Sequence, residues 1–266
     1  MDPAAVRVAL EWAQQRYERC DVCAVACGVN RLAGEIGRCG LGPGGRVYKE
    51  YLHLGEERCL VPSHAIYLTG CSMRCVFCSD HGPVERPGDF GVALSPEHLA
   101  EKIAQRRSEG ARNVNFVGGV PDVNLLYILR TLVHCPSDTR VVWNTNLWTT
   151  DQAMAILTGV VDVWLADHKF GHDRCAQHLS GVQGYTERME RLLPLAAASG
   201  ELIVRHLLMP GHLDCCTRPV LTALARHVPD ATVNLMTGYR PFQLLSSGGT
   251  MAQCVSEEER TLAVTW

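Results

Sequence analysis

Short apolar runs alternate with helical patterns along most of the chain, from about residue 64 onward. Runs rich in β-branched and other apolar side chains predict six strands, over residues 65–69, 114–117, 140–143, 160–165, 202–208 and 232–236. Patterns with helical spacing predict helices between strands, among them residues 96–109, 122–133, 151–157 and 219–227. Strands separated by helices form parallel units with right-handed crossovers, so we expect an α/β fold, specifically a partial (β/α)6 barrel.

The same pattern divides the chain into three predicted parts. Residues 1–60 carry an N-terminal helix and a small cysteine-rich, metal-binding segment. Residues 61–241 form the barrel, and residues 242–266 form a C-terminal tail that is a candidate active-site cover.

Polar residues collect where the predicted strands end. They are Cys71, Cys75 and Cys78, Gly118 and Gly119, Asn144 and Asn146, Asp167 and Lys169, and Arg205 and His206. In parallel β/α folds the ligand site lies at the carboxyl ends of the strands. These residues were not used to define the strands, so their placement supports both the fold and the site.

The amino-acid composition narrows the classes of protein to which this chain can belong. The 266 residues are 47% hydrophobic and 20% charged, as in a globular domain with a large core. No apolar run is long enough to span a membrane, and the first 20 residues do not resemble a secretory signal. The balance of 25 basic against 28 acidic residues gives no electrostatic footprint for nucleic acid or a membrane. We therefore expect a cytoplasmic protein.

The thirteen cysteines are the informative part of the composition. Their number is odd, and in a reducing compartment clustered thiols more often bind metal or perform redox chemistry than form disulfides. Three lie in the run CSMRCVFC and four in the segment from Cys20 to Cys39. Six have no assigned chemistry: Cys59, Cys135, Cys175, Cys215, Cys216 and Cys254.

Cys71, Cys75 and Cys78 form a short loop directly after a predicted strand. A closed structural metal site uses four protein ligands, whereas a reactive site leaves one position open. Three thiolates can hold three irons of a [4Fe–4S] cluster and leave the fourth iron open to a substrate or cofactor. The alternative is a zinc-binding or coincidental cysteine cluster.

This spacing, with Phe77 just before the last cysteine, resembles the signature loop of the radical S-adenosylmethionine (radical SAM) superfamily. The resemblance implies an enzyme in which the open iron binds S-adenosylmethionine. A reduced cluster then cleaves the cofactor to methionine and a 5′-deoxyadenosyl radical, which abstracts hydrogen from a substrate. Such an enzyme belongs among the oxidoreductases or lyases and needs a low-potential electron donor such as flavodoxin or ferredoxin.

The resemblance also implies residues that contact S-adenosylmethionine. Gly118 and Gly119 match the start of the superfamily's Gly-Gly-Glu motif, but its acidic residue is missing. Either Asp122 replaces it, or the cofactor's amino group relies on the iron and a backbone carbonyl. Asn144 and Asn146 suit the polar groups of the cofactor, with capping of the following helix as the alternative.

Charged residues after the later strands complete the expected cofactor site. Asp167 and Lys169 resemble the Asp-x-Lys of glycyl-radical-activating enzymes, with a solvated ion pair as the alternative. Arg205 lies in an apolar strand and requires a carboxylate partner, for which the methionine carboxylate is the candidate. His206 points to the other face of that strand, so it binds the cofactor or is a hydrogen-bonded core histidine.

Cys20, Cys23, Cys27 and Cys39 offer four thiolates, enough for a closed tetrahedral site. Zinc is the simplest occupant, and a second iron–sulfur cluster is the alternative.

Motifs from Cys20 to Tyr239 resemble, in order, the branch of the superfamily related to the pyruvate formate-lyase-activating enzyme. Three functions remain open on the sequence alone. The first is hydrogen abstraction from a small-molecule substrate. The second is an activase that installs a glycyl radical on a partner enzyme. The third is a non-catalytic iron–sulfur or zinc protein.

Overall fold

The computed structural model describes residues 1–245 and 248–266. Its centre is an open sheet in which seven strands follow one another in chain order. The strands are β1 (Val47–His53), β2 (Ser63–Leu68), β3 (Asn113–Gly118), β4 (Val141–Thr145), β5 (Val163–Asp167), β6 (Glu201–Leu207) and β7 (Thr232–Met236). Strands β2 to β7 are parallel, and β1 pairs antiparallel with β2. The predicted α/β partial barrel is confirmed.

Helices cover the outside of the sheet. They are α1 (Pro3–Glu18), α2 (His81–Glu85), α3 (Pro96–Ser108), α4 (Leu125–Leu132), α5 (Asp151–Ile156), α6 (Asp173–Ser180), α7 (Tyr185–Ser199), α8 (Arg218–His227) and α9 (Glu257–Val264). Within the described residues, no helix has the length and apolar character needed to cross a membrane.

All six predicted strands are present, with ends that move by a few residues. The prediction began the fourth strand at residue 160, but Val160 and Val161 turn the chain after α5, and β5 begins at Val163. The predicted helix over residues 122–133 starts later because a 3-10 turn over Pro121–Asn124 precedes α4.

Helix α4 is buried on nearly all sides because it lies between the sheet and α1. The buried residues of α1 are Val6, Ala9, Ala13 and Tyr17, which recur every three or four positions and so form one face. The Tyr17 hydroxyl donates to the Val123 carbonyl at 3.1 Å and accepts from the Leu126 amide at 3.3 Å. The predicted N-terminal helix therefore covers the outer face of a barrel helix.

The first predicted part of the chain also contributes to the sheet. Strand β1 was not predicted, because its sequence VYKEYLH mixes apolar and charged residues without a regular alternation. It binds the free edge of β2, with Tyr51 opposite Ala65 and Leu52 opposite His64. The loop that follows β1 therefore starts at the amino ends of the parallel strands, and Glu56 within it reaches Asn115 of β3 and Arg205 of β6.

Candidate active site

The loop with Cys71, Cys75 and Cys78 leaves β2 through Gly70, which has a φ of +80°. A side chain at Gly70 would meet Leu41 and the Cys39 carbonyl, so glycine is required there. All three cysteines line one cavity of about 490 Å³ at the carboxyl ends of the strands. This is the arrangement predicted from the sequence.

The three thiols are held in a largely apolar setting. Burial raises the pKa of Cys75 to about 12, opposed by the positive charge of Lys169. Burial likewise raises the pKa of Cys71 and of Cys78, and Lys169 again opposes it. Thiolates in such a place need a cation, and iron supplies one. The backbone amides of Met73 and Asp80 lie within hydrogen-bonding reach of the Cys71 and Cys78 sulfurs.

Gly118 and Gly119 let the ends of β2 and β3 approach each other closely. Gly118 has a φ of +94°, and the Gly119 amide donates to the Leu68 carbonyl at 2.6 Å. A Cβ at Gly119 would lie 1.9 Å from the Gly70 carbonyl oxygen. The two glycines thus fix the cysteine loop, and both line the cavity.

Asn146 contacts the cysteine loop directly. Its side-chain amide donates to the Cys71 sulfur at 3.4 Å, and its side-chain oxygen accepts from the Trp148 amide at 3.0 Å. Thr150, not an asparagine, caps α5, so helix capping does not explain either asparagine. Asn144 lines the cavity and has no hydrogen bond to another described side chain, which leaves its amide available to a ligand.

Asp167 and Lys169 also line the cavity, on the same side of the chain. Their carboxylate and ammonium groups are 2.5 Å apart. Burial alone lowers the pKa of Lys169, but Asp167 and the thiol of Cys75 outweigh it and raise that pKa. The pair is therefore part of the cavity wall beside the cysteines, and the solvated ion pair considered above does not describe it.

Arg205 faces the cavity, but its carboxylate partners belong to this chain. Its Nε and Nη2 atoms each bind Glu57 at 2.8 Å, and Nη2 also contacts Glu56. The buried guanidinium thus has the carboxylate that its position requires without the methionine carboxylate of a cofactor. Glu56 also contacts His53 and Asn115.

Comparison with known proteins identifies the family of the domain that carries the cysteine loop. The sequence profile described as the radical SAM superfamily matches residues 66–224, more than half of the chain. The chain belongs to the radical SAM superfamily. It is also 39% identical over 244 residues to an uncharacterized protein of Methanocaldococcus jannaschii, covering 90% of this chain and 71% of that protein.

Solved structures confirm the fold. Streptococcus suis SuiB bound to S-adenosylmethionine superposes with a TM-score of 0.52 at 15% identity, covering 73% of this chain and 44% of SuiB. SuiB bound to the precursor peptide SuiA gives a TM-score of 0.53 at 14% identity, covering 73% and 43%. The chain thus spans less than half the length of SuiB.

Membership makes this protein a radical SAM enzyme and implies a [4Fe–4S] cluster and S-adenosylmethionine as cofactors. The residues present fit both groups. Three thiols, an amide donor from Asn146 and the charge of Lys169 line the same cavity, which suits a cluster held by three cysteines. The adjoining cavity offers main chain at Gly118 and Gly119 and a free amide at Asn144.

Two candidate residues do not line the cavity. His206 is fully buried away from the cavity, where Nδ1 donates to the His168 carbonyl at 2.7 Å and Nε2 contacts the Thr217 hydroxyl at 3.0 Å. It is the hydrogen-bonded core histidine of the alternative interpretation, because alternation along β6 sends Arg205 inward and His206 outward. Asp122, considered as a replacement for the missing acid, lies under the helices, bound by Trp143 and Thr145.

Phe77 is buried and forms part of an aromatic wall. Its ring lies 6.0 Å from Phe170 and 6.4 Å from Tyr239, between ring centroids. Tyr239, Arg240 and Phe242 bring the end of the chain to the cavity. Residues 246 and 247 of the predicted C-terminal cover lie outside the described residues.

The N-terminal cysteines pack against the radical SAM loop. Burial raises the pKa of Cys23 to about 11, and the nearby thiols of Cys39 and Cys20 add to it. Burial also raises the pKa of Cys20, to which Cys27 adds while Arg31 opposes it. The four thiols therefore lie in one neighbourhood, although Cys27 is exposed.

Contacts fix this neighbourhood next to the cavity. Arg38 donates to the Ser72 carbonyl at 3.0 Å, and Arg74 donates to the Arg38 carbonyl. The side chain of Ser72 is within hydrogen-bonding reach of the Cys23 sulfur. The segment from Cys20 to Cys39 thus shares a boundary with the loop that carries Cys71.

Glu56 and Glu57 are functional-site residues that the sequence does not predict. They follow β1 in the run LGEER, which has no periodic pattern and resembles a solvated loop. Their partner Arg205 is almost 150 positions away. The one available signal was Arg205 itself, whose burial demanded a carboxylate from somewhere in the chain.

Proposed function

We propose that this radical SAM enzyme abstracts a hydrogen atom from a small polar molecule held in the cavity beside Cys71, Cys75 and Cys78. When bound, the cluster and S-adenosylmethionine supply a 5′-deoxyadenosyl radical. The observation that carries the proposal is the size of the cavity. At about 490 Å³ it lies in the lower half of the roughly 300–1,000 Å³ typical of ligand pockets, and the cofactor takes part of that space.

The chain's own residues hold the two cofactors in this proposal. Cys71, Cys75 and Cys78 each bind one iron, and Asn146 donates a hydrogen bond to the Cys71 sulfur. Lys169 offsets the negative charge of the three thiolates. Fixed donors and charges around the sulfurs set the reduction potential of such a cluster.

S-adenosylmethionine is bound by the ends of β3, β4 and β5. Gly118 and Gly119 allow close approach of the main chain, and Asn144 supplies a free amide. Val120 stands at the position of the acid in the superfamily's Gly-Gly-Glu motif, and Asp122 does not line the cavity. Of the two alternatives, the amino group of the cofactor would then rely on the iron and a backbone carbonyl rather than on Asp122.

The aromatic wall protects the radical. Phe77, Phe170 and Tyr239 pack edge-on or tilted at centroid distances near 6 Å. These buried rings close one side of the cavity, which would keep hydrogen donors other than the substrate away from the radical.

Polar and charged side chains also line the cavity, and in this proposal they contact the substrate. His53, Glu56 and Arg205 line it from one side, and Arg240 lines it from the C-terminal side. Arg240 is exposed and has no ion pair with another described residue. A carboxylate or phosphate on the substrate would bind there.

Deuterium transfer tests the substrate. The anaerobically reconstituted enzyme is incubated with dithionite, S-adenosylmethionine and deuterated candidates that carry an acidic group. A true substrate transfers deuterium into 5′-deoxyadenosine, and Arg240→Gln raises its apparent KM. If no small molecule transfers deuterium while a protein does, the proposed substrate class is wrong.

An activase function is the second candidate. Met236 and Phe242 line the cavity yet are partly exposed, and Leu245 nearby is 70% exposed. Exposed apolar side chains around an active-site mouth suit docking of a protein loop. A glycine-centred radical signal on an added glycyl-radical enzyme, detected by electron paramagnetic resonance, would support this function. In this second proposal the enzyme is related to the pyruvate formate-lyase-activating branch of the superfamily. It would receive its electron from flavodoxin or ferredoxin.

We further infer a closed metal site at Cys20, Cys23, Cys27 and Cys39. The backbone amides of Val22 and Val25 lie within hydrogen-bonding reach of the Cys20 and Cys23 sulfurs, which suits thiolates that bind a metal. Zinc is the occupant we propose. Iron and zinc analysis of wild type and Cys39→Ser tests it: loss of one zinc supports zinc, whereas loss of about four irons identifies a second cluster.

A further inference from the structure

Four ligand atoms meet at a place that the radical SAM chemistry does not use. The side chains are those of Cys175, His212, Cys215 and Cys216, and all four donor atoms lie within 4.8 Å of one another. The Cys175 and Cys215 sulfurs are 3.6 Å apart. The His212 Nδ1 atom is 3.3 Å from the Cys215 sulfur and 3.9 Å from the Cys216 sulfur.

We propose that Cys175, His212, Cys215 and Cys216 bind one structural zinc ion. Zinc–sulfur bonds of about 2.3 Å at tetrahedral angles place two sulfurs about 3.8 Å apart. With a zinc–nitrogen bond of about 2.05 Å, a sulfur and a nitrogen lie about 3.6 Å apart. The three distances in the protein lie close to these values. Three cysteines and one histidine are also a ligand set of structural zinc sites.

The geometry favours a single bound metal ion over a disulfide or an iron–sulfur cluster at these four side chains. A disulfide requires a bond of about 2.05 Å, and the Cys175 and Cys215 sulfurs are well beyond it. An iron–sulfur cluster distributes its thiolates over separate irons, so it needs a wider spacing than four atoms that share a centre. Soft thiolates with imidazole select zinc among the common divalent ions.

The fold assembles the site from two neighbouring connections. Cys175 lies in the first turn of α6, and His212 precedes a π-helical turn over Leu213–Thr217. In that turn the His212 carbonyl accepts from the Thr217 amide at 3.3 Å, the i→i+5 bond of a π-turn, and also from the Cys216 amide at 2.8 Å. The wider turn places His212, Cys215 and Cys216 on one side, toward α6. Single π-turns of this kind are rare and occur often at functional sites.

The main chain supports the ligands as well. The backbone amide of Gly171 lies within hydrogen-bonding reach of the Cys216 sulfur. A side chain at Gly171 would lie 2.5 Å from the Cys216 carbonyl oxygen, so the two connections touch there. Amide donors to a ligating sulfur are usual around metal sites.

The position of the site suggests what the ion does. The connection with Cys175 follows β5, which ends at Asp167, and it includes Lys169, whereas the connection with His212 follows β6 and Arg205. A zinc ion would tie the two together just outside the cavity. Four protein ligands leave no open position, so the ion stabilises the fold and takes no part in the reaction.

Site-specific metal analysis tests the proposal. Full-length protein is purified anaerobically, and its zinc and iron are measured by inductively coupled plasma mass spectrometry. Cys215→Ser and His212→Ala are each expected to lose one zinc per chain relative to wild type, with iron unchanged. His212→Cys keeps the zinc, because four thiolates also bind it. The matched control Cys59→Ser changes an exposed cysteine outside the cluster and loses none.

A measurement on wild type covers the case in which a variant fails to fold. Half-exposed Cys215 is expected to resist alkylation by iodoacetamide until a zinc chelator is added. Equal zinc in Cys215→Ser and Cys59→Ser would overturn the proposal, and so would a disulfide between Cys175 and Cys215 in the anaerobic protein. Neither readout depends on cleavage of S-adenosylmethionine, so this inference and the proposed function can fail separately.

Discussion

Arg205 and Glu57 form a two-point ion pair that joins the end of β6 to the loop after β1. The guanidinium Nε and Nη2 atoms lie 2.8 Å from the Glu57 Oε1 and Oε2 atoms, and the Asn234 amide donates to Oε1 at 2.8 Å. The two side chains are only 13% and 10% exposed. The pair connects the loop after the edge strand β1 with β6, which lies next to the opposite edge of the same open sheet.

Removing one member of this pair should be costly. Arg205→Gln leaves the buried carboxylates of Glu56 and Glu57 without the guanidinium that offsets their charge, so we expect a loss of about 3 kcal/mol in the free energy of unfolding. Urea unfolding measures it. Arg86→Gln is the matched control, because the Arg86–Asp89 pair is 69% and 62% exposed and should change stability by about 1 kcal/mol or less. Similar losses in both variants would contradict this role for Arg205.

The hydrogen bond from Asn146 to Cys71 should tune the cluster. Asn146→Asp keeps the oxygen that accepts from Trp148 but removes the donor to sulfur and adds negative charge. The reduction potential of the cluster is expected to fall, because donors to sulfur favour the reduced state. A redox titration followed by electron paramagnetic resonance measures the shift. Asn144→Asp, whose amide does not contact a thiol, should give a smaller shift, and a larger one would exclude this role of Asn146.

Gly119 should not tolerate a side chain. In Gly119→Ala the new Cβ would lie 1.9 Å from the Gly70 carbonyl oxygen, and this backbone atom moves only if the cysteine loop moves. We expect a loss of about 3 kcal/mol in stability and reduced iron incorporation. Gly44→Ala is the control, because no atom lies within 4 Å of its added Cβ. Iron content equal to wild type in Gly119→Ala would contradict the prediction.

His64 should make the fold sensitive to acid. Burial lowers the pKa of His64 to about 4, although Glu50 opposes this effect. A histidine of the unfolded chain takes up a proton near pH 6.5, so stability declines as the pH falls from about 6.5 toward 4. Between pH 7 and 5.5 wild type should lose about 1 kcal/mol more than His64→Gln. Anaerobic urea unfolding at both pH values measures this difference, and equal losses would show that His64 is not the cause.

The sequence predicted the strands and the cysteine loop because both depend on local patterns. Buried parallel strands are continuous apolar runs, and Cys71, Cys75 and Cys78 lie within eight positions of one another. The ends of those strands also placed Asn144, Asn146, Asp167 and Lys169 at the cavity, as expected.

The other features of the site could not be predicted, because they depend on residues that are far apart in the sequence. Alternation of side chains along β6 does not by itself show which of Arg205 and His206 faces inward. The structure shows that Arg205 lines the cavity and that His206 binds Thr217 on the other face. Glu57 and Arg205 meet across 148 positions, and Cys175 and Cys215 across 40. No local pattern marks such pairs, because the sheet and its connections bring them together only in the folded chain.

Cleavage of S-adenosylmethionine tests the central claim most directly. Anaerobically reconstituted wild type with dithionite is predicted to form 5′-deoxyadenosine, measured by liquid chromatography and mass spectrometry. Cys75→Ala should abolish the product, because two remaining thiols do not hold the open cluster. The matched variant Cys59→Ala, changed at an exposed cysteine outside the cavity, should form it at the wild-type rate. Product formed equally fast by Cys75→Ala, or none formed by wild type with a reduced cluster, would contradict the account.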